Sequence, residues 1–223
     1  MARKPRKRLT GAIGRIFPGI AVFAKCLGLI YSRRSMLRKL GYIESVKERR
    51  PCRRDGSPIP WMNYNVISFL EGRLKPALNM FEYGSGNSTL FYAKLVGSVT
   101  SLEADKDWYE YGKSNLPDNV TLLYSGDVSA KEYANTIAEQ NTLYDVVIID
   151  AKERVECFYA ATKCLTQSGV IVLDDSHRDY YQDAFDFAEQ QGFRRLDFEG
   201  LKPAGIREYR STVFYKSDNC LGI

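Results

Sequence analysis

From residue 79 onward, short apolar runs alternate with stretches whose apolar positions recur every three or four residues. The runs at 79–83, 98–104, 120–124, 144–150, 169–173, 193–198 and 211–216 predict strands. The stretches at 88–96, 106–115, 131–140, 153–165 and 180–191 predict helices. YDVVIID (144–150) is the clearest strand, because consecutive β-branched and apolar residues suit a parallel strand covered on both faces. This alternation predicts an α/β fold, an open and mostly parallel sheet with helices on both faces. Ahead of it, 61–74 reads as an amphipathic helix with Val66, Phe69 and Leu70 on one side. PCRRDGSPIP (51–60) is rich in turn formers, and it divides an N-terminal arm, 1–58, from a body, 59–223.

Within the arm, Ile13, Ile16, Phe17, Ile20, Phe23, Ala24, Leu27, Ile30 and Tyr31 follow helical spacing. Arg15, Pro18 and Lys25 interrupt them, so no uncharged run reaches the roughly 18–20 residues that span a bilayer. Two readings stay open: a helix lying on a membrane surface, or a helix packed on the body. Charge sharpens the contrast between the two parts. Residues 1–54 hold 16 Lys/Arg and 2 Asp/Glu, a balance of +14, whereas 55–223 hold 16 and 25, a balance of −9. The overall +5 therefore hides a basic arm on an acidic body. Such an arm suits an anionic partner, whether lipid headgroups, nucleic acid or an acidic glycan; with its apolar stripe an anionic membrane is preferred to nucleic acid, and a solvated tail is the plain alternative. A cytoplasmic protein, held peripherally at the inner face of the membrane, is the resulting expectation. Cys26, Cys52, Cys157, Cys164 and Cys220 form no CxxC pair, and His177 is the sole histidine, which argues against a zinc site of the Cys/His type. Cys157 and Cys164, seven apart on one predicted helix, read as core.

The candidate chemistry gathers at the ends of the predicted strands, where open α/β sheets bind their ligands. The first strand runs into Glu82, Tyr83, Gly84, Ser85, Gly86, Asn87, Ser88 and Thr89. Gly84 and Gly86 allow a sharp turn and a close backbone approach to a ligand, and Asn87 or Ser88 can cap the helix that follows. Glu103 ends the second strand 17 residues after Gly86, where a carboxylate can accept from both hydroxyls of a ribose. Asp127, in SGDV (125–128), follows the third strand and can accept from an adenine amino group. A nicotinamide dehydrogenase shares this logic, but it wants a third small residue where Thr89 stands. Asp150, Asp174 and Asp175 end the fourth and fifth strands, and they admit two readings. One is a general base, Asp150 or Asp175, with His177 a further candidate. The other is a divalent ion such as Mg2+ held by Asp150, Asp174 and Asp175. Capping of the next helix is the structural alternative for the aspartate pair. Trp61, Tyr64 and Tyr83 suit either a pocket wall or the core.

FEYGSGNST, SLEAD, SGDVS, YDVVIID and GVIVLDDS, in that order, resemble the successive motifs of class I S-adenosylmethionine-dependent methyltransferases across about residues 59–216. The resemblance implies a Rossmann-like sheet of seven strands with the last antiparallel. It implies S-adenosylmethionine as cofactor, with Glu82, Gly84, Ser85, Gly86 and Ser88 around its methionine part, Glu103 on the ribose, and Asp127 with Val128 at the adenine. PIPWMNY, IIDAKERVECF, DDSHRDYY and GFRRLDFEG resemble a bacterial subgroup whose acceptor is unassigned; that subgroup usually has Asp-Gly at 150–151 and often Asp-Asn at 174–175, where this chain has Asp150-Ala151 and Asp174-Asp175. Catechol-type O-methyltransferases, which are similar at these strand ends, imply the metal reading, although their lysine follows the first aspartate by three residues and Lys152 follows by two. The Pro-Pro-aromatic stretch of base-modifying enzymes is absent after the fourth strand. The expected acceptor is therefore an oxygen of a small molecule, a saccharide or a lipid-linked glycan. The alternative of another class is a binding module that keeps the cofactor without turnover.

Overall fold

The computed structural model describes residues 18–114 and 116–223. Three helices open it: α1 (Pro18–Tyr31), α2 (Met36–Leu40) and α3 (Tyr42–Glu48). The helix expected over 12–31 is present from Pro18; Ile13, Ile16 and Phe17 lie outside the described residues. The apolar side chains of α1 face solvent, with Ile20, Phe23 and Tyr31 each more than half exposed. Its main packing partner is α2, with Arg38 Nε donating to the Ile30 carbonyl at 2.8 Å. The short pair α2–α3 was not foreseen, because segments of five and seven residues are too short to show a period. Gly41, at φ +84°, ends one helix and begins the other, a turn that a side chain resists.

The body begins with α4 (Tyr64–Glu71) and continues as β1 (Asn79–Tyr83), α5 (Asn87–Tyr92), β2 (Ser98–Glu103), α6 (Lys106–Lys113), β3 (Val120–Tyr124), α7 (Ala130–Glu139), β4 (Tyr144–Ile149), α8 (Arg154–Thr162), β5 (Leu165–Leu173), α9 (Gln182–Gln190), β6 (Arg194–Gly200) and β7 (Tyr209–Tyr215). The seven strands lie in the order β3-β2-β1-β4-β5-β7-β6. β1 through β5 pair in parallel, and β7 runs antiparallel to both β5 and β6. The order reverses at β1, with β2 on one side and β4 on the other, so ligand-binding residues are expected beyond the carboxyl ends of these strands.

The central strands are apolar at successive positions because both faces are covered. Val147 and Ile149 of β4 join Phe81, Tyr83, Ile171 and Leu173 in the core beneath α7, α8 and α9. Val146 and Ile148 join Met80, Val170 and Val172 in the core beneath α4 and α5. Three local differences from the sequence reading have physical causes. α4 starts at Tyr64 rather than residue 61, because Asn63 caps it, its side-chain oxygen accepting from the Val66 amide at 3.0 Å. β5 starts at Leu165 rather than 169; its polar first half hides the strand, and the register shifts between Tyr144 and Val146 beside Gly169. A Cβ on Gly169 would lie 2.9 Å from the Tyr144 carbonyl. Cys164 lies beyond the end of α8 and so does not share a helix face with Cys157, although both are buried.

Because α1 leans on α2 rather than on the sheet, deletion of residues 1–31 should leave the melting temperature of the body within about 3 °C of the full chain by circular dichroism. Loss of a cooperative transition would place α1 in the core.

Candidate functional site

The carboxyl ends of β1, β2, β3 and β4 open onto one cleft of about 770 Å³. Glu82, Gly84, Ser85, Ser88, Glu103, Asp127, Val128 and Asp150 all line it. Its first wall is the turn after β1. Gly84 stands at φ +96°, and a Cβ there would lie 2.6 Å from the Asp150 carbonyl, so strain and space both demand glycine. Gly86 opens α5 and faces the Trp108 indole, which a Cβ would meet at 3.6 Å. Neither Asn87 nor Ser88 caps α5, contrary to the expectation. The Thr89 hydroxyl accepts from the Gly86 amide at 3.0 Å, and Asn87 instead donates to the Pro51 carbonyl at 2.7 Å, tying the arm to this loop.

Glu82 is buried, 1% exposed, and accepts at one oxygen from Thr89 at 2.6 Å and Ser101 at 2.9 Å. Burial pushes its carboxyl up to about 7, against the pull of the Ser88, Thr89 and Ser101 hydroxyls. Thr89, the residue that departs from the dinucleotide pattern, thus works as a partner of Glu82. Glu103 is nearly buried and preorganised: the amides of Ala104 and Asp105 both donate to one oxygen at 2.9 Å, and Ser85 donates to the other at 2.6 Å. Asp127 and Val128 stand exposed on the far rim. The Trp108 indole N–H donates to the Ser85 carbonyl at 2.9 Å, which sets an aromatic wall between the glycine turn and that rim.

The three aspartates come together as one ionic cluster. Asp150 lines the cleft with its side chain about one-third exposed, and Arg154 Nη2 donates to its Oδ1 at 2.8 Å. Among the described residues no donor reaches its Oδ2. Burial and the neighbouring Asp174 push Asp150 up to about 6, against the pull of Arg154 and Lys202. Asp174 is fully buried; Ser211 donates to Oδ1 and Lys202 to Oδ2, each at 2.6 Å. Asp175, at φ +51°, accepts from Lys202 at Oδ1 and from Arg178 at Oδ2, the latter at 2.8 Å. Burial alone would raise Asp175, but Lys202, Arg154 and Arg178 outweigh it and hold the carboxyl below its ordinary range. The same pair, against the opposing effect of burial, raises Lys202. His177 is exposed, its ring 5.9 Å from that of Tyr209, and it is not among the residues that line the cleft. Neither aspartate caps a helix: the next regular turn begins at Asp179.

Among the described residues, no group of three or more His, Cys, Asp or Glu side chains is placed to hold a metal ion. The donor set explains this. Both oxygens of Asp174 and both of Asp175 already accept from Lys202, Ser211 or Arg178, so the residues do not fit a divalent ion. The sequence reading missed Arg154, Lys202 and Trp108. Arg154 carried a usable signal, four residues after Asp150 at the start of a helix; Lys202, in a loop between two strands, carried none. Trp61 is half exposed and donates to the Pro203 carbonyl at 3.0 Å, while Tyr64 and Tyr83 are core; none of the three lines the cleft.

No family model and no curated protein matches the sequence. Solved structures do match. An O-methyltransferase from Bacillus cereus, in complex with SAH, is 17% identical with TM-score 0.55 over 87% of this chain and 97% of that one. A methyltransferase-like protein from Silicibacter pomeroyi is 22% identical with TM-score 0.53, over 70% and 89%. A precorrin-6y C5,15-methyltransferase from Geobacter metallireducens is 18% identical with TM-score 0.50, over 68% and 87%. The fold is that of the class I S-adenosylmethionine-dependent methyltransferases. At these identities the likeness concerns the fold, and names as different as O-methyltransferase and precorrin methyltransferase leave the acceptor open.

The raised Glu82 has a consequence for the free protein. Its folded pKa lies above the unfolded one, so the native state holds that proton more tightly. The carboxylate is therefore penalised increasingly from about pH 4.5 to 7, by roughly 3 kcal/mol once ionised. The Glu82→Gln protein should gain in melting temperature over wild type as pH rises through this window, with the gain level above about 7. A difference independent of pH, followed by thermal denaturation from pH 4 to 8, would mean that Glu82 keeps an ordinary pKa.

Proposed function

We propose that the protein is an S-adenosylmethionine-dependent methyltransferase that acts on an oxygen of a small molecule, a saccharide or a lipid-linked glycan. The observation that carries this reading is the single cleft that collects Glu82, Gly84, Glu103, Asp127 and Asp150 from four strand ends. This reading assigns Glu82 and the Gly84–Gly86 turn to the methionine part. It assigns Glu103 to the ribose hydroxyls, supported by the two backbone amides and Ser85 that fix its carboxylate. Asp127 and Val128 suit the adenine, with Trp108 as the intervening wall. When bound, the cofactor supplies an electrophilic methyl group on a sulfonium. Asp150, which lines the cleft, is the favoured general base: no donor among the described residues reaches its Oδ2, and a pKa of about 6 leaves it largely ionised at neutral pH yet able to hold a proton. Arg154 orients it through the other oxygen. Asp175 and His177 are the further candidates carried from the sequence. A metal between Asp174 and Asp175 would have to displace Lys202.

Calorimetry on the purified chain should show S-adenosylmethionine and its demethylated product binding more tightly than NAD. Glu103→Ala should weaken that binding by about 1.5–3 kcal/mol through loss of charge-assisted hydrogen bonds. Tighter binding of NAD, or an unchanged affinity in Glu103→Ala, would remove the assignment or the residue respectively. A binding module that has lost turnover would keep this affinity, yet transfer no labelled methyl group to any fraction of a lysate of its source cell.

For the arm, an anionic membrane surface is the proposed partner. Among the described residues no helix is long and apolar enough to cross a bilayer. Exposed Ile20, Val22, Phe23, Leu27, Leu29, Ile30 and Tyr31 lie beside Lys25, Arg33 and Arg34, which supports an interfacial helix. Co-sedimentation with liposomes should need anionic lipid, and high salt should reduce it without abolishing it, since burial of apolar surface is not screened. Nucleic acid would instead give nearly complete salt sensitivity.

A further inference from the structure

The ionic cluster behind Asp150 is balanced within the protein. Asp150, Asp174 and Asp175 supply three negative charges; Arg154, Arg178 and Lys202 supply three positive ones. Lys202 holds the central place. Its side chain is 8% exposed, its ammonium donates to Asp174 and Asp175 together, and the Tyr209 ring closes over it at 4.9 Å. The hairpin loop between β6 and β7 that carries it is fastened from the N-terminal side. The Tyr64 amide donates to the Leu201 carbonyl at 3.0 Å, Trp61 holds the Pro203 carbonyl, and the Tyr42 hydroxyl donates to the Gly205 carbonyl at 2.9 Å. Asn63 adds a brace, donating at 2.9 Å to Ser211, which in turn donates to Asp174. Helix α3 and the segment 61–64 thus hold the loop that sets one ammonium against two adjacent carboxylates.

We propose that Lys202 is the resident cation of the acceptor side: its ammonium occupies the place between Asp174 and Asp175 where a divalent ion would sit. Lys202 is a positioning residue; it holds both aspartates in place, and they in turn set Arg154 against Asp150. A neutral cluster has no surplus negative charge to attract a second cation, and a buried carboxylate pair stripped of its ammonium regains that attraction. The proposal concerns the site of the methyl-transfer reading, but its test does not depend on methyl transfer.

The test is a titration of the full chain with Mn2+ alone, followed by the loss of the electron paramagnetic resonance signal of the free ion. Wild type should leave Mn2+ free up to millimolar concentration. Lys202→Ala, shown to be folded by its thermal transition, should bind one Mn2+ at least tenfold more tightly than wild type. Adding Asp174→Asn to that variant should remove the gain, and Lys202→Arg, which keeps the charge, should show none. Tight Mn2+ binding by wild type that Asp174→Asn abolishes would overturn the proposal, as would a folded Lys202→Ala protein with no gain. If Lys202→Ala does not fold, wild type and Lys202→Arg decide: binding by either at this site overturns the proposal, and binding by neither supports it. Failure of S-adenosylmethionine to bind in calorimetry would count against the methyltransferase reading and leave this result standing.

Discussion

Two adjacent carboxylates, Asp174 and Asp175, are buried at the end of the central strand β5, and the charge they bring must be neutralised inside the protein. An unpaired buried carboxylate is strongly destabilising, and removing one partner of such a pair typically costs about 3–5 kcal/mol. The chain meets this demand from four places. Lys202 comes from the β6–β7 loop, Arg154 from the first turn of α8, Arg178 from the segment after β5, and Ser211 from β7. Because these elements are far apart in sequence, the carboxylate pair acts as a clamp. It fixes the terminal hairpin against the parallel part of the sheet, and it fixes the start of α8, hence Arg154, against Asp150. The N-terminal segment joins the clamp through Tyr42, Trp61 and Asn63.

The cleft and the ionic cluster behind Asp150 are built by different means. In the cleft, around β1 and β2, the work is done by backbone. Two glycines with positive φ make the turn after β1, and amides at 104 and 105 aim Glu103 before any ligand arrives. Such a site loses little freedom on binding, because its donors and acceptors are already placed. In the cluster behind Asp150 the work is done by charged side chains. There, only one carboxylate oxygen of the three aspartates, Oδ2 of Asp150, is left without a protein donor among the described residues.

The arm divides in the same way. The end of α2, α3 and the segment after it join the body: Leu40 and Tyr42 pack against its core, Tyr42 donates to the β6–β7 loop, and the Pro51 carbonyl accepts from Asn87 of α5. α1 does not share in that packing, and its large apolar side chains remain uncovered. The boundary that composition places near residue 58 is therefore a boundary of charge, whereas the change in packing comes earlier, after α1.

Much of the sheet was determined by sequence alone. The run at 144–150, the Gly84–Gly86 turn, and the acidic residues at 82, 103 and 127 follow from period, turn chemistry and strand ends. These signals are local: each is written in fewer than ten consecutive residues, and parallel strands bring their ends to one edge whatever the helices do. Tertiary structure decided the surroundings of Asp174 and Asp175. Whether Asp174 and Asp175 face a metal, a substrate or another side chain depends on what a hairpin loop 27 residues further along the chain brings to them, and nothing local to Lys202 marks that lysine. The same holds for Thr89, whose departure from the dinucleotide pattern gains its meaning when folding sets its hydroxyl on Glu82. Local pattern specifies where the backbone goes; the partners of buried charges are long-range contacts, and only the folded chain settles them.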